Sequence, residues 1–100
     1  MNYRNKKLLR LAKNCPRCMM CGQPNQGGNI VAAHSNQTRD GKGMGIKAHD
    51  CCIAYLCHSC HSLIDQGGTF SKSYRFSEWD GACIKTWTWL CQSGHIEVKE

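Results

Sequence analysis

Cysteines separated by two intervening residues occur at Cys18-Met19-Met20-Cys21 and again at Cys57-His58-Ser59-Cys60. A C-x2-C turn brings two thiolates to one side of a tight bend. A tetrahedral zinc ion takes four ligands, with sulfur at about 2.3 Å. Two such pairs close one shell, so the sequence predicts a structural Zn²⁺ on Cys18, Cys21, Cys57 and Cys60. Cys15-Pro16-Arg17-Cys18 has the same spacing, and Cys15 is an alternative to Cys18. Gly22, directly after Cys21, favours the later register, because the end of a knuckle suits the backbone freedom of glycine. The chain holds nine cysteines, an odd number that disulfides cannot pair completely. Cys51, Cys52, Cys83 and Cys91 are expected as small buried hydrophobes. Cys83 and Cys91, if on one straight helix, lie about 12 Å apart, beyond disulfide reach.

His61 follows Cys60, and Asp65 follows four residues later. On a helix both side chains share a face, a geometry that lets an imidazole and a carboxylate bind one divalent ion. His34 ends an apolar segment upstream. An imidazole with an ordinary pKa near 6.5 is suited to deprotonating water at neutral pH, so His34 is the candidate general base. The loop between these groups carries Arg39, Lys42 and Lys47 with Gly41, Gly43 and Gly45. It lacks a P-loop motif, but its cations and backbone amides are candidates for holding phosphates.

Local patterns indicate how these groups are positioned. Residues 4–13 read as a short helix with Leu8, Leu9 and Ala12 inward, stopping before Cys15-Pro16. Ile30 to His34 reads as a strand after the Gly27-Gly28-Asn29 turn. A second apolar stretch, Cys51 to Leu56, runs into Cys57, and a helix is expected from there to about Gln66, ending at Gly67-Gly68. Phe76, Trp79, Cys83, Trp87 and Leu90 form one helical stripe, read as core. Ser77 with Asp80 resembles a capping box, and Gly94 stands at a C′ position. His95 to Val98 is a candidate terminal strand.

A chain of 100 residues buries a modest core and profits from a metal staple. No secretory signal and no span of about 20 apolar residues is visible, so membrane association is not expected. The cysteine usage fits a reducing, cytoplasmic setting. The net charge is +6 and unevenly spread. Residues 1–47 hold nine Lys/Arg and one acid, Asp40, whereas residues 48–100 hold four against six. The basic half is the candidate surface for a polyanion.

A cysteine knuckle, a strand ending in Ala33-His34, a loop and Leu56-Cys57-x-x-Cys60-His61 on a helix together resemble the HNH (His-Me finger) endonucleases. Ala33-His34-Ser35-Asn36, Gly41-Lys42-Gly43-Met44-Gly45-Ile46-Lys47 and Ile64-Asp65-Gln66-Gly67 look most like the prophage-encoded YbcO-like nucleases. The resemblance spans roughly residues 15–92. It implies a treble-clef zinc site beside a ββα-metal finger. It also implies His34 as water activator, His61 as helical metal ligand and Asp65 as a second ligand. Members of the superfamily commonly place an Asp or His before the catalytic histidine, where this chain has Ala33. Their middle Asn falls at Cys52 here, with Asp50 and His49 the nearby replacements.

The sequence thus reads as one α+β domain over 1–100: a basic N-terminal helix (1–14), a zinc-stapled treble-clef/ββα-metal core (15–68) and a C-terminal helical cap (69–100). The expected activity is phosphodiester hydrolysis of nucleic acid, DNA favoured. The catalytic residues are His34, His61 and Asp65, and the catalytic ion is Mg²⁺, Mn²⁺, Ni²⁺ or Zn²⁺. Arg39, Lys42 and Lys47 hold the backbone. The competing expectations are a non-catalytic zinc module that binds nucleic acid and a phage adaptor that binds a phage or host protein. The sequence leaves oligomeric state open.

Overall fold

A computed structural model of the chain describes residues 2–66 and 68–99, with Gln66 described in its backbone only. The elements run α1 (Lys6–Arg10), a 3-10 turn (Leu11–Asn14), β1 (Ile30–His34), a 3-10 turn (Thr38–Asp40), β2 (Ile53–Cys57), α2 (His58–Gln66) and α3 (Lys72–Gln92). The class is α+β, with one two-stranded antiparallel sheet among the described residues.

The N-terminal helix begins where Asn5 caps it, its side chain accepting from the Leu8 amide at 3.1 Å. It tightens into a 3-10 turn and ends at Cys15, whose extended backbone (φ −68°, ψ 130°) is what the following proline demands. Leu8 and Ala12 are buried and Leu9 is half-buried.

β1 and β2 pair from Ile30 opposite Cys57 to His34 opposite Ile53. The pairing sets the end of β1 beside the start of β2 and carries Cys57 directly into α2. Every residue of β2 is buried, which its uninterrupted apolar sequence allows. At its outer edge both backbone groups of Tyr55 find partners outside the sheet. The Met19 amide donates to the Tyr55 carbonyl (2.9 Å), and the Tyr55 amide donates to Thr86 Oγ1 (3.0 Å). The Tyr55 hydroxyl in turn donates to the Leu8 carbonyl, tying β2 to α1.

The long helix differs from its sequence reading at both ends. It starts at Lys72, capped by Ser71, whose hydroxyl accepts from the Tyr74 amide (3.2 Å). Ser77 is therefore interior to the helix and caps nothing. Asp80 instead accepts from Gln37 and Arg39. At the far end Gly94 takes φ +79° as a C′ residue should, and the His95 and Ile96 amides return to the Leu90 carbonyl. These bonds turn the chain back on the helix, and no strand forms over 95–98. The buried line is Trp79, Ala82, Thr86 and Leu90, while Phe76, Cys83 and Trp87 are only half-buried. The face is rotated because β2 presents a backbone amide that Thr86 must satisfy. Cys91, expected inside, is exposed: it lies one residue, about 100° of helix, past Leu90. Cys51, Cys52 and Cys83 are half-buried, and all nine cysteines are unbridged. The expected stop at Gly67 lies outside the described residues.

No helix among the described residues is long and apolar enough to cross a membrane.

Candidate functional site

The knuckle and the start of α2 bring four sulfurs together. The Sγ atoms of Cys18, Cys21, Cys57 and Cys60 all lie within 4.8 Å of one another. Cys21 Sγ and Cys57 Sγ are 3.8 Å apart, and a tetrahedron with about 2.3 Å metal–sulfur bonds has edges of about 3.8 Å. The quartet can hold a structural metal ion. Among the described residues no other group of three or more His, Cys, Asp or Glu gathers donors in this way. Gly22 closes the knuckle at φ +81°, its amide returning to the Cys18 carbonyl (2.9 Å).

The structure also resolves the register. The Met20 and Cys21 amides point at Cys18 Sγ (3.4 and 3.5 Å). Burial pushes the Cys18 thiol up, but the amides of Cys21, Cys57 and Met20 more than offset it and leave it at about 7. Cys15 is fully buried outside the quartet, its thiol donating to the Arg17 carbonyl (3.2 Å). Burial pushes its pKa up. Cys18 therefore ionises more readily than Cys15.

His61, directly after Cys60, meets Asp65 one turn later on the same face of α2, with His61 Nε2 3.1 Å from Asp65 Oδ2. The other carboxylate oxygen, Oδ1, accepts from Asn36 Nδ2 (2.9 Å). Asn36 thus fixes the carboxylate from across the cleft, a contact the sequence reading did not assign. The available signal was its place two residues after His34, on the same face of an extended segment.

His34, at the end of β1, hydrogen-bonds through Nε2 to Asp50 Oδ1 at 2.8 Å. Asp50 is 4% exposed, while His34 keeps 18% of its side chain accessible. Burial by itself would raise the Asp50 carboxyl. Hydrogen bonds from His34, from the Asn5 amide (2.6 Å) and from Arg4 (3.0 Å) outweigh that and hold it below its usual value. An ionised carboxylate only accepts, so His34 Nε2 carries the proton of this bond, and Nδ1 is the ring nitrogen turned away from Asp50.

Asp50 is itself placed by the chain's N-terminal arm. Arg4 bonds the carbonyls of Lys47 and Ala48 as well as Asp50, and Asn2 bonds those of Gly41 and Lys47. Gly41 (φ +92°) lies against the arm so closely that a Cβ would stand 2.9 Å from the His49 ring and 3.1 Å from Asn2. His49 is occupied in this clasp, its Nδ1 accepting from the Tyr3 amide (2.9 Å). Of the two nearby replacements for the asparagine expected at Cys52, Asp50 is the one that reaches His34.

His34, Asn36, His61 and Asp65 line one cleft of about 580 Å³, together with Lys42 and Lys47 from the loop and Arg10 and Lys13 from the N-terminal segment. Arg39 is turned elsewhere, bound to Asp40 and Asp80. Ala33 is fully buried on the opposite side of β1, its carbonyl accepting from Trp79 Nε1 (3.0 Å), so position 33 faces the core and not the cleft. The arrangement sets an imidazole bonded to a carboxylate, a second His–Asp pair and four cations that make no ion pair among the described residues around one cleft. Comparison of the chain with protein-family models, with curated proteins and with solved structures finds no match.

Proposed function

We propose that the protein is a metal-dependent nuclease that hydrolyses phosphodiester bonds, built as a ββα-metal finger of the HNH type and stapled by zinc on Cys18, Cys21, Cys57 and Cys60. The observation that carries this reading is the His34–Asp50 dyad opening into the same cleft as His61 and Asp65. The strand–strand–helix order β1, β2, α2 agrees with it. So does the four-sulfur group joining the knuckle to the start of α2.

His34 Nδ1 takes a proton from water, and the water oxygen bonds to phosphorus. The phosphorus–oxygen bond to the leaving group breaks, and that oxygen is protonated from solvent. Asp50 fixes the imidazole and stabilises it once protonated, as a carboxylate partner does for a catalytic histidine. His61 and Asp65 supply two donors, which suits an ion that keeps several water ligands. A divalent ion held there would stabilise the negative charge that builds on the phosphate and leaving oxygens. Asn36 keeps the Asp65 carboxylate turned toward His61. Lys42, Lys47, Arg10 and Lys13 hold flanking phosphates.

The test is to incubate supercoiled plasmid and single-stranded circular DNA with the purified chain, in Mg²⁺, Mn²⁺, Ni²⁺, Zn²⁺ or chelator. Metal-dependent cleavage is expected, lost in His34→Ala while DNA binding survives. Undiminished cleavage by a clean His34→Ala preparation overturns the mechanism.

One observation favours a second reading. Among the described residues only His61 and Asp65 are offered to such an ion in the cleft, since Ala33 faces the core. DNA binding with no cleavage under any metal would assign the chain as a non-catalytic zinc module.

A further inference from the structure

The cations near the site divide into two groups. Arg4 and Arg39 are consumed within the fold by Asp50, Asp40 and Asp80. Arg10, Lys13, Lys42 and Lys47 line the cleft, and none of them is in an ion pair among the described residues. Arg10 and Lys13 come from the N-terminal helical segment and Lys42 and Lys47 from the loop after β1, so the cations reach the cleft from two separate segments. Leu9, Val31 and Ala32 contribute apolar surface to it.

From this geometry we infer that the cleft takes a single strand of DNA, with phosphates held by both pairs of cations and the reacting phosphate over His34. The assignment rests on the nuclease reading above and names its substrate form. Size is the first argument. A cleft of about 580 Å³ is in the range of small-ligand sites, roughly 300–1,000 Å³, so it holds one or two nucleotides and not the width of a duplex. Depth is the second. His34 is 18% exposed, so the phosphate must come down to it. A duplex, with a persistence length of about 150 base pairs, resists folding one phosphate into a recess, while a single strand does so freely. Proteins that read a duplex instead push a helix or ribbon into its groove. The lining is the third argument. Cations along the backbone path are the common feature of single-strand grooves. The apolar Leu9, Val31 and Ala32 side chains favour deoxyribose, because a 2′-hydroxyl set against them loses water and gains no partner.

The test uses the full chain carrying His34→Ala, so that binding is read without cleavage. Fluorescence anisotropy would compare a fluorescein-labelled 12-nucleotide DNA of mixed sequence, the same strand annealed to its complement, and the RNA of the same sequence. The single-stranded DNA is expected to bind at least about tenfold tighter than either competitor. Adding Arg10→Glu and Lys13→Glu should weaken it by about tenfold or more, with metal content and circular dichroism unchanged. Equal or tighter binding of the duplex or the RNA overturns the inference, as does no binding of any probe. The two readings fail separately. Metal-dependent cleavage with a duplex preference removes the strand assignment alone, whereas single-strand preference without cleavage by the parent chain removes the nuclease alone.

Discussion

Asp50 is the residue on which the orientation of His34 depends. It accepts from His34, Arg4 and the Asn5 amide at 4% exposure, so replacing it disturbs both function and stability. Asp50→Asn keeps the shape but removes the charge that holds His34 Nε2–H. Cleavage is expected to fall about 10²- to 10⁴-fold, the usual worth of a positioned base, with single-stranded DNA affinity unchanged. Asp50→Ala also strips partners from a buried amide and a guanidinium and should cost about 2–4 kcal/mol by urea denaturation. The pH dependence has a definite sign. The folded pKa of Asp50 is depressed, so its stabilisation is fully present above the unfolded value of about 4. It is lost as pH falls through the lower folded value. The difference in urea midpoint between the parent chain and Asp50→Asn should therefore shrink below about pH 4. A difference that stays constant into stronger acid would show that Asp50 is not held as described.

At the scale of elements, the knuckle and α3 both hold the outer edge of β2. Cys18→Ser should abolish stoichiometric metal by elemental analysis, while Cys15→Ser keeps it, because the Cys15 sulfur lies outside the quartet. Chelation should melt the fold, since a structural ion contributes its binding energy to folding. At that same edge of β2, Thr86 Oγ1 accepts from the Tyr55 amide and donates to the Ala82 carbonyl (2.8 Å) at full burial. Thr86→Val leaves that amide unpaired and should cost about 1–3 kcal/mol; Thr86→Ser should recover most of it. A neutral Thr86→Val result in chemical denaturation would remove this hydrogen bond from the account of why α3 is rotated toward Ala82 and Thr86. Sequence periodicity gave a helical stripe but could not place its centre, because the stripe's apolar count says nothing of a strand amide needing a hydroxyl.

Across the whole molecule, the excess of positive charge in residues 1–47 becomes a sorted pattern. Arg4 clasps the loop, Arg39 ties the loop to α3, and four other cations face the cleft. Lys42→Ala and Lys47→Ala should each reduce the slope of log affinity against log salt by about 1. Arg39→Ala should leave that slope unchanged, because its guanidinium already faces two carboxylates. A fall in slope for Arg39→Ala equal to that of the lysines would refute the sorting.

The sequence by itself determined what local rules govern. Spacing identified the cysteine quartet, the i, i+4 meeting of His61 and Asp65, the limits of β1 and the αL glycine after α3, because each depends on residues a few positions apart. Tertiary structure decided the rest. Folding fixed Cys18 over Cys15, the register that Gly22 already favoured, by aiming two amides at one sulfur. Only folding selected Asp50 over Cys52 and His49 as the partner of His34, a choice made by an N-terminal arm more than forty residues away in sequence. It also moved Arg39 out of the cleft and brought Arg10 and Lys13 into it. Contacts between distant segments decide which of several chemically suitable side chains arrives, and no spacing along the chain encodes that arrival.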